Sequence, residues 1–452
     1  MIRASATWRL VAVVGAAGLV LAACGGSDDN SSDSSSSGGT SSTGTPLFLV
    51  DGNVGTGPIG KLPAGTMTGV EGSLPGAEIG EDFRKRLDSV DPDLPTIGYS
   101  YGPESYDAVT LIALASAAAK SDAGIDIAAN LRDVSEGGTA CTSFDECNKL
   151  LNQGEDIDYN GVSGPIEFDQ FGDVTAATIG IYKYNSDNVI PGYNADPDPD
   201  NPVIFNEGTL EPSNDEAPKP STKVNDGASD DQLVLGGLLP ITGSLSSLEP
   251  PETAGVKLAV QDINAAGGVL GKDVKFIPGD SGDTTTDTAQ LTVDKHLQQG
   301  VDAIVGPASS GVTLTVIDKT SGAGVLLFGT APTSPELTTY EDGGLFWRTS
   351  PSDVLQGRVL ANQILSEGYQ RVGIIVRNDS YGQGLADSVT QNIEDGGGEI
   401  VQTAFYDEGA TNFNSQVQKM VDVDPEAIVL IGFDESGKII NEMVAQGIGP
   451  NS

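Results

Sequence analysis

One histidine, His296, serves all 452 residues, and only three cysteines, four methionines and two tryptophans accompany it. His296 lies in the helix-like run Thr288–Gly300 beside Asp294 and Gln298, which reads as an exposed structural face. Histidine triads and multi-histidine metal sites therefore have no candidate members. Basic residues are scarce as well: 23 Lys and Arg stand against 64 Asp and Glu, a formal charge of −41. That balance argues against nucleic acid and anionic membrane surfaces as partners, and the surplus acid reads as solvated surface. A G-x-S-x-G elbow is missing and metal ligands do not cluster, so the chain reads as a non-enzyme without catalytic residues, cofactor or metal; an exported hydrolase recruiting Ser309, Ser310 or Asp51 is the different-class alternative. Apolar residues make up 38% of the sequence, enough for real cores in two to three domain-sized units.

The first stretch, 1–23, carries Arg3 and Arg9 and then an apolar run from Leu10 to Ala23. It is too short to span a bilayer comfortably and reads as an export signal. The small residues before Cys24 resemble a bacterial lipobox, which makes Cys24 the expected lipidated N-terminus and the lipid the expected link to the outer face of the cytoplasmic membrane. Residues 24–45 are Ser-, Gly- and Asp-rich with almost nothing apolar, a flexible tether.

Folded sequence starts at Pro46 with Leu47-Phe48-Leu49-Val50-Asp51, a buried-type strand ending in an acid. Gly55-Thr56-Gly57-Pro58-Ile59-Gly60 matches a dinucleotide fingerprint, but Pro58 and Pro63 oppose the helix it requires. Helices are expected at Glu81–Leu87, Glu104–Lys120 and Ile125–Val134, and a terminal hairpin from Gly164–Phe171 and Ala177–Tyr184. Cys141 and Cys147, close together in an exported chain, read as a disulfide. Residues 185–230, rich in Pro, Asp, Asn and Ser without sustained periodicity, read as a disordered acidic linker. Within it Asp196, Asp198, Asp200 and Glu207 take calcium-loop spacing, but Asn201 replaces the glycine and prolines stiffen the run, so they read as a solvated spacer.

From Leu233 strands and helices alternate to Gln446, the pattern of a doubly wound α/β fold. Its most telling stretch is Ala303-Ile304-Val305-Gly306-Pro307-Ala308-Ser309-Ser310-Gly311. A short buried strand breaks into small hydroxyl residues at a helix start, where free N–H groups and a positive dipole end suit a carboxylate.

Val234–Gln446 resembles the first half of the leucine/isoleucine/valine-binding proteins, type I solute-binding lipoproteins of ABC importers. The likeness rests on Leu239–Gly243, Gly267–Lys272, Gly306–Gly311, Thr330–Leu337, Tyr381–Leu385 and Ile431–Phe433. Pro46–Tyr184 resembles the second half of the same family through Phe48–Asn53, Glu71–Gly76, Ser105–Ala108 and Gly164–Asp169. The halves stand in reversed order, residues 46–184 holding the second and 231–452 the first. The resemblance therefore implies a two-lobed type I periplasmic-binding-protein fold, circularly permuted, with doubly wound parallel sheets in each lobe. A flexible linker of this length has an r.m.s. span of roughly 35–40 Å, enough to bridge the old ends. The rival is a remnant of tandem binding domains, each half complete.

The resemblance implies that Ser310, with the backbone and hydroxyl of Ala331 and Thr333, holds an α-carboxylate on one lobe. Asp51 takes the α-ammonium on the other, helped by Tyr381, while Tyr101 and Phe433 wall the side-chain pocket. Leu248 and Pro250-Pro251 stand where an aromatic is expected and Phe433 lacks a tyrosine hydroxyl, so the implied ligand is a branched-chain or similar amino acid. Asp353, after the crossover between lobes, reads as a cap of the helix starting near Leu355, with contact to the ligand as the alternative. The implied partners are an amino acid, an ABC permease with its ATPase, and the membrane through the lipid; a sensory or adhesion lipoprotein is the alternative.

Overall fold

The computed structural model describes residues 44–451, apart from 56, 58, 211–216 and 222–229. The signal at 1–23, Cys24 and the tether as far as residue 43 lie outside the described residues.

Two sheets organise the rest. One has five strands in the order Phe346–Arg348, Leu326–Gly329, Ala303–Val305, Val234–Gly237, Lys275–Ile277, every pair parallel. Its central strands are continuous apolar runs because helices cover both faces. Ala303, Val305, Leu326 and Phe328 join one core with the helices Gly102–Ala119 and Glu249–Ala265, while Ile304 and Leu327 join another with Thr288–Gln298 and Ser310–Ala323.

The second sheet has seven strands in the order Glu399–Tyr406, Arg371–Arg377, Ala427–Ile431, Leu47–Leu49, Glu71–Pro75, Ala176–Lys183, Ile204–Thr209. The first five are parallel, and the last two join antiparallel at the edge. Early and late segments interleave in it: Phe48 pairs with Val429 on one side and Glu71 on the other. They meet in the other lobe too, where Gly102–Ala119 lies against Glu249–Ala265. Glycine is required at that crossing, because a Cβ at Gly255 would stand 2.1 Å from the Gly102 carbonyl.

Within the five-stranded lobe the early and late segments are pinned by a buried ion pair. Arg348 is 0% exposed, and its Nε and Nη2 each donate to an Asp173 carboxylate oxygen at 2.6 Å. The same guanidinium donates from Nη1 to the carbonyls of Pro332, at 3.1 Å, and Ser334, at 2.9 Å, so Asp173 of the early segment steadies the Ala331–Thr333 turn of the late one.

Four expectations change. Ala176–Lys183 does not form a hairpin with Gly164–Phe171, which pairs only with residues just before that strand, through the Phe168–Val174 bridge and the Thr175 N–H to Glu167 O bond; the strand's partners are Glu71–Pro75 and Ile204–Thr209. The supposed linker is folded over much of its length: Ile204–Thr209 is an edge strand, and Asn188, Ile190 and Tyr193 are buried. Its pattern is legible only against the sheet edge and core that receive it. Glu207 is thereby drawn into that strand, away from the turn at Asp198–Asn201. His296 is buried, its Nε2 2.8 Å from the Gly237 carbonyl oxygen. Phe346–Arg348 is a strand with no counterpart in the sequence reading. Cys141 and Cys147 are disulfide-bonded.

Replacing Asp173 by Ala leaves the Arg348 guanidinium buried and unpaired. Urea unfolding should show a loss of about 3–5 kcal/mol, and a loss under about 1 kcal/mol would mean that the pair pins nothing.

Candidate functional site

Asp51 follows the strand Leu47–Leu49 at its carboxyl end. Asn53 locks the turn: its Oδ1 accepts from Val50 N at 2.9 Å and its Nδ2 donates to Leu430 O at 2.9 Å. The Asp51 carboxylate, 4% exposed, accepts Tyr381 O–H at 2.6 Å and Gln356 Nε2 at 3.0 Å on Oδ1, and Tyr101 O–H at 2.7 Å on Oδ2. Burial raises its pKa, and the tyrosine and glutamine donors pull it back in part. Tyr101 sits at the start of Gly102–Ala119 with φ 60, a left-handed backbone that costs an ordinary residue about 1–2 kcal/mol.

The facing wall is built from the five-stranded lobe. Ser309 caps the Ser310–Ala323 helix, its side chain accepting from Val312 N at 3.3 Å, and the first amides of a helix have no partner within it. Ser310 Oγ accepts from the backbone N–H groups of Thr333 at 3.2 Å and Ser334 at 3.1 Å, which leaves its proton free to point elsewhere. Thr333 differs from expectation here, since its amide is spent on Ser310 while its buried hydroxyl has no hydrogen-bond partner.

A narrow cavity separates the walls, lined by Asp51, Tyr101, Ser310, Ala331, Tyr381 and Phe433, with Leu245 and Leu248 on its apolar side. The structure thus brings the expected ligand residues around one space, except Thr333, which is not part of that lining. Phe433 stacks on Tyr381 with ring centroids 5.3 Å apart, and the Arg377 guanidinium lies 4.3 Å from its centroid.

Gln356 escaped the sequence reading, and Asp353 reads there as a cap. Gln356, fully buried, links Asp51 to Ser73 through Nε2, 3.0 Å from each side chain. Asp353 does not cap its helix: Ser352 does, accepting from Val354 N at 3.5 Å. Asp353 is instead 0% exposed, with both carboxylate oxygens lacking a hydrogen-bond partner. Burial, and next the charge of Asp51, hold its pKa well above the usual carboxylate range. In sequence it looks like any acid in a first helical turn, and only the burial of that turn makes it unusual.

Glu252 stands behind the facing wall, its Oε1 accepting from Thr330 O–H at 3.0 Å and its Oε2 without a partner. Burial pushes Glu252 and Glu104 each up to about 8. Near pH 7 both stay mostly protonated, so the Ser310 wall meets little opposing negative charge behind it. The site therefore offers donors on one side and the Asp51 carboxylate, held by its tyrosine and glutamine donors, on the other.

Residues 232–451 match the family model described as periplasmic binding protein, and residues 66–187 match that described as receptor family ligand binding region. The chemotactic signal transduction system substrate-binding protein BasB of Halobacterium salinarum is 29% identical over 230 residues, 48% of this chain and 54% of that protein. The leucine-, isoleucine-, valine-, threonine-, and alanine-binding protein of Pseudomonas aeruginosa is 28% identical over 220 residues, 48% of this chain and 58% of that protein. Among solved structures, the branched-chain amino acid transporter substrate binding protein LivJ of Streptococcus pneumoniae, in complex with isoleucine, is 32% identical with a TM-score of 0.44, covering 48% of this chain and 62% of that one. The chain spans little more than half the length of these relatives.

The raised carboxyls set a pH dependence. Unfolded, Glu104 and Glu252 ionise near 4.5, whereas folded they keep their protons to about 8. The folded state binds more protons in that window, so stability falls as pH rises through it. Urea unfolding at pH 5 and pH 8 should differ by the order of a few kcal/mol, and Glu252→Gln should shrink the difference; an unchanged slope in the variant would show Glu252 ionised in the fold.

Proposed function

We propose that this chain is a type I periplasmic binding protein, as the match of residues 232–451 to the periplasmic binding protein model supports, and that it captures an amino acid, branched-chain or similar, between its two lobes. The observation that carries the reading is the opposition of the two walls of one cavity. Ser310, with the amides that open its helix, suits an α-carboxylate. Asp51, flanked by the Tyr101 and Tyr381 hydroxyls, suits an α-ammonium. A zwitterion satisfies both walls at once, so its binding favours the closed arrangement of the lobes. Desolvated charge-assisted hydrogen bonds fix its backbone, and Tyr101, Phe433 and Leu248 take up the apolar remainder.

In the cell the protein is an exported lipoprotein, anchored through Cys24 to the outer face of the cytoplasmic membrane, that passes its ligand to an ABC permease and ATPase. The order of its halves is a circular permutation. Two features support that order: the parallel insertion of Leu47–Leu49 between Ala427–Ile431 and Glu71–Pro75, and the two matched regions, which meet in one sheet. A chain with residues 231–451 placed ahead of residues 46–210, which keeps Tyr193 and the edge strand Ile204–Thr209, should fold and bind as this one does; a rearranged chain that stays unfolded would sink the permutation.

Isothermal titration calorimetry with isoleucine tests the clamp. Ser310→Ala should weaken binding by about 1.5–3 kcal/mol, the range for a hydrogen bond to a charged group. Asp51→Ala should abolish binding. Full affinity in Asp51→Ala would overturn the zwitterion reading.

A further inference from the structure

A second cavity adjoins the first and shares Asp51, Gly52, Leu248 and Phe433 with it. It is walled by Val54, Ile59, Ile97 and Leu248, with Tyr193 at its side. Tyr193 comes from neither matched region: the family models end at residue 187 and resume at residue 232.

The segment that carries Tyr193 is built into the fold. Asn188 Nδ2 donates to the carbonyls of Leu62 and Pro63, each at 2.9 Å, and its Oδ1 accepts from Met67 N at 3.0 Å. Arg84 Nη2 donates to Gly192 O at 3.1 Å, and Asn194 Oδ1 accepts from Ile190 N at 2.8 Å. The Tyr193 ring meets Tyr182 edge-on at 5.6 Å, and its hydroxyl is hydrogen-bonded to Ser100 Oγ. Gly98 leaves room for the ring: with φ +108, a Cβ there would stand 2.3 Å from it. Tyr193 is 7% exposed, held on every side except the cavity.

An α-amino acid with its ammonium at Asp51 and its carboxylate at Ser310 directs its side chain away from that pair. The adjoining cavity, continuous through Asp51 and Leu248, receives it. We propose that Tyr193 is the specificity-determining end wall of this pocket, setting the largest apolar side chain the cleft accepts. The inference rests on the amino-acid reading of the site.

The test is calorimetry on the full chain with leucine and phenylalanine as probes. Tyr193→Ala should raise affinity for phenylalanine relative to leucine by about tenfold, the scale on which apolar pockets discriminate by size. Ser100→Ala keeps the ring but releases its hydroxyl, and should shift the ratio in the same direction by less; it carries the test if Tyr193→Ala fails to fold. An unchanged ratio in a folded variant that still binds overturns the end wall alone. Wild-type protein that binds neither probe overturns the amino-acid reading, and the end wall with it.

Discussion

Leu47–Leu49, hydrogen-bonded in parallel between Ala427–Ile431 and Glu71–Pro75, is the constraint on which the rest of the arrangement depends. A strand buried on both faces and both edges has no solvent to satisfy its backbone, so the two neighbours must come to it in register. That requirement draws chain segments hundreds of residues apart into one sheet. It also delivers Asp51 to the sheet's carboxyl end, opposite the start of the Ser310–Ala323 helix. The Arg348–Asp173 pair does the corresponding work in the other lobe, where one guanidinium holds both a distant carboxylate and the carbonyls of the Ala331–Thr333 turn.

The empty cleft concentrates unmet electrostatics. Asp353 and Thr333 carry buried oxygens without partners, and Gln356 has one as well; each such group costs free energy that a suitable ligand returns. Tyr101 adds backbone strain to aim its hydroxyl at Asp51. A fold selected only for stability would neutralise or remove these groups. Similar unpartnered groups occur elsewhere, at Asp122, His296 and Gln446 among others, so what distinguishes the cleft is the convergence of Tyr101, Gln356 and Tyr381 on Asp51.

Much of the architecture was legible in the sequence. Apolar runs such as Ala303–Val305 and Ala427–Ile431 announce doubly buried strands, and the glycine, proline and hydroxyl residues that end them announce where ligand chemistry belongs. Asp51, Ser310 and Tyr381 could be named through the family resemblance, whose motifs set them at such strand ends and helix starts. The misreadings share a cause. Ile204–Thr209 and Tyr193 lie in a Pro- and Asp-rich stretch that looks unstructured until a sheet edge and an aromatic neighbour receive it. His296 looked exposed because its sequence neighbours are polar, yet the tertiary packing turns its ring toward Gly237.

The sequence by itself determined the class of fold and the chemistry of the individual strand ends, because those depend on short-range periodicity, turn residues and the dipoles of helix starts. Only the tertiary structure decided which of the many acids became special. Asp353 and Glu252 are ordinary carboxylates in their helices, and what perturbs them is desolvation and the charge or hydroxyl of residues far along the chain. Burial is a property of the whole packing, and no local pattern encodes it.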